Sequence, residues 1–407
     1  VEAAVDRLHR LREQLDGLEG LDAEAEIDRL QLRTAIDKEL FGRETARWWR
    51  RNPMAYVGPL GVDLYLTRDY APLAARAEPM AAVLEQAGEI LGRARENLEP
   101  VVPQTFCEWG MLQADGMAEF LDTDLPAEVE SLGTDPARAR VLEAATDAAR
   151  ELRSYSAWIE ETLLPAADTS HALGGEALEM MLAQGELLDM TLADLAALGE
   201  ADLQANLEVF RETAAEIDPG LEPREVYERH VASQHAPGGD LLAATREVLE
   251  RIRSFLIERD LITIPSEVRA RVADTPRHLR WAFAMMDTPG PYETRATDAM
   301  YYVTPVEPGW DEARTEEWLN TLNLFALEDI SIHEAYPGHY VHFLHYAAAP
   351  GEVARRTWSY AFVEGWAHYT EQMMWEEGYR DRDPRFRLAQ LIEALVRNCR
   401  FMCSIGL

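Results

Sequence analysis

Five of the chain's 10 histidines, His333, His339, His342, His345 and His368, lie between positions 333 and 368. Casual surface or core histidines do not concentrate in this way. The stretch "SIHEAYPGHYVHFLH" (331–345) is close to the metal-binding pattern H-E-x-x-H, but the second histidine comes two residues late. In H-E-x-x-H both imidazoles leave one helix face, because four residues advance about 400°. His333 and His339 are six apart and on a straight helix would point about 240° from each other. They can share an ion only if the helix breaks between them. Pro337 provides the break: it has no N–H, and its ring clashes with the carbonyl four residues back, that of His333. Gly338 allows backbone angles that other residues resist.

A hydrolytic zinc site usually takes three protein ligands and leaves one position open. The stretch "FVEGWAHYTEQ" (362–372) offers Glu364, with His368 and Glu371 on the next two turns. A carboxylate in an otherwise apolar helical stretch needs a partner, which a metal or one of the many arginines would supply. A glutamate brought by a second helix to a His-Glu-…-His helix is the gluzincin plan. Glu334 would then act as general base on a water activated by the metal. His342, His345 and His368 stay open between partners of the ligands and plain packing. Two histidines and a carboxylate also suit divalent ions other than zinc, iron among them.

The elements that must position these groups read mainly as helix. Apolar residues recur at three- and four-residue spacing over 21–49 and 72–98. Further helices are expected at 136–166, 173–184, 191–216, 239–259, 311–327, 352–377 and 384–403. Pro/Gly clusters break the pattern at 52–63, 99–104, 218–223, 236–240 and 287–293. Thr191 with Asp194 three residues on reads as a helix start. The acidic stretch 122–136 reads as solvated surface, lacking the regular oxygen ligands of a calcium loop. The best strand is "DAMYYVTPV" (298–306). The expectation is a mainly α protein with one small β-sheet near the site. It divides into an N-terminal helical lobe (1–170) and a metal-site lobe (171–407), or forms one continuous domain.

"HEAYPGHY" followed by "EGWAHYTE" resembles the bacterial family called domain of unknown function 885, whose members look like zinc metallopeptidases of the zincin superfamily. The stretches 174–199, 288–305 and 391–407 are similar to family segments in the same order. The likeness is strong over 170–407 and loose before it. It implies a large helical zincin-like fold, one Zn²⁺ per chain on His333, His339 and Glu364, and Glu334 as the catalytic carboxylate. A more distant likeness, to helical carboxypeptidases and oligopeptidases, implies an edge strand above the metal that pairs with extended peptide. "DAMYYVTPV" would fill that role, placing Tyr301 and Tyr302 near substrate or in the core. Tyr340 stands where the family often has a second histidine. Family members usually continue past "IGL" (405–407) into a segment that contributes pocket residues, so the chain reads as a fragment or as having lost that segment. Arg397 and Arg400 match basic positions and could hold a substrate carboxylate, or serve as ordinary ion-pairing arginines.

Composition narrows the class. With 407 residues, 47% hydrophobic, the chain can build a sizeable core. The net charge of −34 argues against nucleic acid and anionic membranes as partners. Lys38 is the sole lysine. Cys107, Cys399 and Cys403 give an odd count and read as buried free thiols, which points to the cytoplasm. The expected function is a zinc-dependent peptidase on short peptides. The alternatives are a metal-dependent hydrolase of another amide, a metal- or peptide-binding protein without catalysis, and a helical scaffold without metal.

Overall fold

The structure, a computed structural model, describes residues 1–236, 239–276, 279–280 and 282–406. Part of the break expected at 236–240, and the last residue of "IGL", lie outside them. The protein is mainly α-helical with one small sheet. It divides into two compact units. Unit 1 comprises Val1–Gly17, Ile36–Leu178 and Thr294–Ala296; unit 2 comprises Leu18–Ala35, Glu179–Glu293 and Thr297–Leu407.

Unit 1 packs α1 (Leu73–Leu84) and α2 (Gln104–Thr123) against α3 (Pro136–Trp158). The buried stripe of α3 runs Val141, Ala144, Ala145, Ala148, Ala149, Leu152, Tyr155, at helical spacing. Small residues let the helices approach closely: a Cβ on Gly110 would sit 2.9 Å from Pro53 Cβ. Sequence periodicity misses α2 because its stripe is Cys107, Gly110, Ala114 and Ala118, residues of little hydrophobic weight.

Unit 2 contains α4 (Leu192–Ile217), α5 (Leu241–Glu258) and strands β1 (Arg271–Asp274), β2 (Ala284–Asp287) and β3 (Met300–Val303). Helices α6 (Leu324–Glu334), α7 (His339–Ala348), α8 (Tyr360–Glu376) and α9 (Pro384–Gly406) follow. Thr191 caps α4 with a reciprocal Asp194 bond, as its spacing predicts. The single helix expected over 311–327 is two, because Asn323 interrupts it and caps α6, accepting from the N–H groups of Phe325 and Ala326 at 3.1 Å. Helix α6 is buried on nearly every side, touching α5, α8, α9 and β2.

The sheet order is β1-β3-β2, with β1 parallel and β2 antiparallel to β3. The strand expected at 298–306 forms as β3, but in the centre of the sheet. The edge beside α6 is β2, four residues too short to show any alternation in sequence. Of the three cysteines, Cys107 is buried, whereas Cys399 and Cys403 are exposed on α9, contrary to the expectation of buried thiols. Among the described residues no helix is long and apolar enough to cross a membrane.

Candidate metal centre

The break between the two histidines is built as the Pro-Gly pair implies. Helix α6 ends at Glu334 and α7 begins at His339, joined by a turn that contains a cis Tyr336–Pro337 peptide. The Gly338 N–H reaches back to the Ile332 carbonyl at 3.0 Å. A Cβ at Gly338 would lie 1.7 Å from the His333 carbonyl oxygen, so only glycine fits. Trp366 of α8 donates its indole N–H to the Pro337 carbonyl at 3.0 Å, which pins the turn to the next helix.

The turn brings the His333 and His339 rings to 4.8 Å between centroids, at 86° to each other. Glu364 closes the group from α8. Its oxygens stand 3.5 Å from His333 Nε2 and 3.7 Å from His339 Nε2. One ligand atom from each of the three residues lies within 4.8 Å of the others. These separations are long for charge-assisted hydrogen bonds, which close to about 2.7–2.9 Å. They are near the roughly 3.3 Å between ligand atoms that share a tetrahedral ion at bond lengths of about 2.0–2.1 Å. Two imidazoles and a carboxylate with that spacing fit a divalent cation.

Behind His333 is a carboxylate that sequence reading left without a role. Glu371 is fully buried, and its Oε1 accepts from His333 Nδ1 at 2.7 Å. The same carboxylate takes His368 Nδ1 at 3.0 Å and the Arg397 guanidinium at 3.0 Å. With its Nδ1 proton committed to Glu371, His333 turns Nε2 to the cluster, where its lone pair is free for a metal once the Nε2 proton leaves. Spacing alone hints at this: Glu364, His368 and Glu371 repeat at four and three residues along one face of α8.

The electrostatics fit the arrangement. Burial works against charge on His333, but Glu364 and Glu371 outweigh it and raise its pKa to about 9. Burial and the neighbouring His333 lower His339 to about 4. His339 is therefore already neutral, and a cation would displace the proton that His333 holds between two carboxylates. Glu334 lies beside His333, and its Oε2 accepts the Met286 N–H of β2 at 2.9 Å. Burial raises its pKa to about 7.

The other candidates scatter. Tyr301 is fully buried, with its hydroxyl 3.2 Å from Ser331, and Tyr302 is buried beside it on β3. Tyr340 is core and donates to the Val268 carbonyl. His342 stacks on Phe343, and His345 bonds the Thr263 carbonyl. Arg397 bridges Glu371 and Glu393 at 3.0 and 3.1 Å, which makes it an ion-pairing arginine of the site's floor. Arg400 is exposed on α9 and lines neither of the two cavities described next. A cavity of about 210 Å³ of mixed lining lies at His333 and Glu334, with Arg397, Glu371 and Glu393 beside Phe283 and Ile330 in its wall. A second, of about 420 Å³, is mostly apolar and lies beyond His339.

The chain belongs to the family described as bacterial protein of unknown function (DUF885), whose profile matches residues 1–407, including the N-terminal part where the sequence likeness is loose. Its fold is similar to that of a candidate lipoprotein of unknown function from Shewanella oneidensis. That structure is 22% identical with a TM-score of 0.76, over 98% of this chain and 74% of that one. A candidate lipoprotein from Colwellia psychrerythraea is similar at 16% identity and a TM-score of 0.72, over 99% of this chain and 74% of that one. At these identities the likeness establishes the fold alone. No curated protein matches the chain significantly.

Proposed function

We propose that the protein is a zincin-like, metal-dependent peptidase acting on short peptides, with one zinc on His333, His339 and Glu364. The observation that carries this reading is the meeting of those three side chains beside Glu334, itself tethered to edge strand β2. A bound divalent cation would polarise a scissile carbonyl and acidify water. Glu334, its pKa tuned close to neutrality, takes a proton from the attacking water as the O–C bond forms. It then delivers that proton to the amine nitrogen as the C–N bond breaks. Glu371 holds His333 in the ligating tautomer, and Arg397 balances the buried charge of Glu371.

Strand β2 rather than β3 is the place for extended substrate. Met286 turns its N–H away from β3 and toward Glu334, so the outer edge of β2 faces the reacting groups. The cavities beside the cluster, about 210 and 420 Å³, suit one or two side chains each. That scale favours short peptides. The structural relatives described as candidate lipoproteins favour an exported protein over the cytoplasm.

The test is metal content by mass spectrometry on protein purified without chelator or metal-affinity tag, together with peptide hydrolysis. About one zinc per chain, lost in Glu364→Ala, is expected. Hydrolysis should vanish in Glu334→Gln while metal is kept. Absence of bound zinc after reconstitution would sink the reading. Turnover of other amides but not of peptides would move the activity to a different hydrolase class.

A further inference from the structure

The larger cavity faces the candidate centre through one aromatic ring. Phe343, one turn after His339 on α7, packs its ring 6.2 Å from the His339 ring and also lines the cavity. Trp358, just ahead of α8, and Phe362, in its first turn and two positions ahead of Glu364, also line the cavity. The cavity is thus framed by the two helices that carry His339 and Glu364.

Its walls are unusual for a solvent-facing hollow. Trp358 and Phe362, large rings at the rim, are 50% and 60% exposed. Apolar surface of this kind, contiguous with a concave site, marks a place where an apolar group binds. Ring contacts inside the wall are both edge-to-face, His342 against Phe362 at 77° and Phe343 against Tyr346 at 84°, and stacked, His342 on Phe343 at 16°. A further ring can join such a set in either geometry. At the rim Glu186 accepts the hydroxyl hydrogen of Ser359 and the Ala361 N–H at 3.4 Å, which ties this stretch to the start of α8.

We propose that this cavity is a specificity site that takes a large aromatic side chain of the substrate peptide. The proposal rests on the peptidase reading for the word substrate, but the binding site stands by itself. The smaller cavity, with Arg397, Glu371 and Glu393 in its wall, offers no comparable apolar surface.

The experiment measures binding without turnover. N-acetyl-phenylalaninamide and N-acetyl-alaninamide are titrated calorimetrically into purified protein and into Glu334→Gln. The phenyl amide should bind at least about 10-fold tighter than the alanine amide, as burial of an aromatic ring implies, and equally well in Glu334→Gln. Ala354→Trp, which fills the cavity, and Trp358→Ala, which removes a rim ring, should each abolish that preference while metal content is unchanged. Trp358→Ala changes an exposed position, so it serves even where the filled variant fails to fold. Equal binding of the phenyl and alanine amides, or a preference that survives Trp358→Ala, overturns the proposal. A preference found in protein that cleaves no peptide keeps the cavity and removes the peptidase reading. Peptide cleavage with no aromatic preference keeps the peptidase and removes the cavity.

Discussion

The two units bury very different chemistry. Unit 1 closes its core with alanine, leucine and valine, and its buried polar side chains are few: Asp37, Arg68, Arg76 and Ser156 among the described residues. Unit 2 buries Glu328, Asp329, His333, His339, Glu371, Arg253 and Arg387 beside its apolar cluster. A buried ionised group is tolerated only when partners replace its water. The concentration of such groups around α6 therefore marks where the fold spends stability on burying charge. Burial raises the Asp329 carboxyl well above its usual range, with the charges of Glu371 and Glu393 adding to the effect.

The sharpest way to break this contrast is at the cluster itself. Glu334→Gln is expected to lower peptide turnover by about 10²–10⁴-fold with metal retained, measured as kcat/KM beside mass-spectrometric metal content. Glu364→Ala should remove both. Next comes the floor of the site: Arg397→Met leaves the buried Glu371 carboxylate without its cation and should destabilise the protein by about 3–5 kcal/mol in denaturant unfolding. The same variant should weaken metal binding by about 10–100-fold, since His333 loses a firmly held partner.

Unit 1 supplies the counter-test. Leu152→Ala, at a fully buried position of α3, should destabilise by about 2–5 kcal/mol while leaving metal affinity unchanged. A fall in metal affinity there would show that the contrast between the units is false. An effect of similar size is expected as a pH slope in metal-free protein. Glu334 is raised from its ordinary 4.5 to about 7, so the folded state holds a proton that the unfolded chain releases. Its contribution is full below about pH 4.5 and is lost as pH rises through about 7, a change of roughly 3 kcal/mol. Glu334→Gln should remove that fall from unfolding stability and leave the opposite, rising contribution of His339, whose pKa is lowered to about 4; a slope unchanged from wild type would assign the titration elsewhere.

The sequence by itself determined what local chemistry determines. Pro337 and Gly338 force the helix break, because a missing N–H and a missing Cβ act within one turn of backbone. Thr191 and Asp194 cap α4 for the same reason. The crowding of histidines is likewise visible without a fold, whereas the Glu364 side chain, expected among apolar neighbours, is 61% exposed. Only the tertiary structure decided which strand lies at the sheet edge, since β2 and β3 take their places through pairing between segments and not through any pattern in their own four residues. It also decided that Glu371 gathers His333, His368 and Arg397, groups from three helices whose meeting depends on packing. The aromatic cavity beyond His339 is of the same kind. Its walls come from separate stretches of chain, and a hollow belongs to no single one of them.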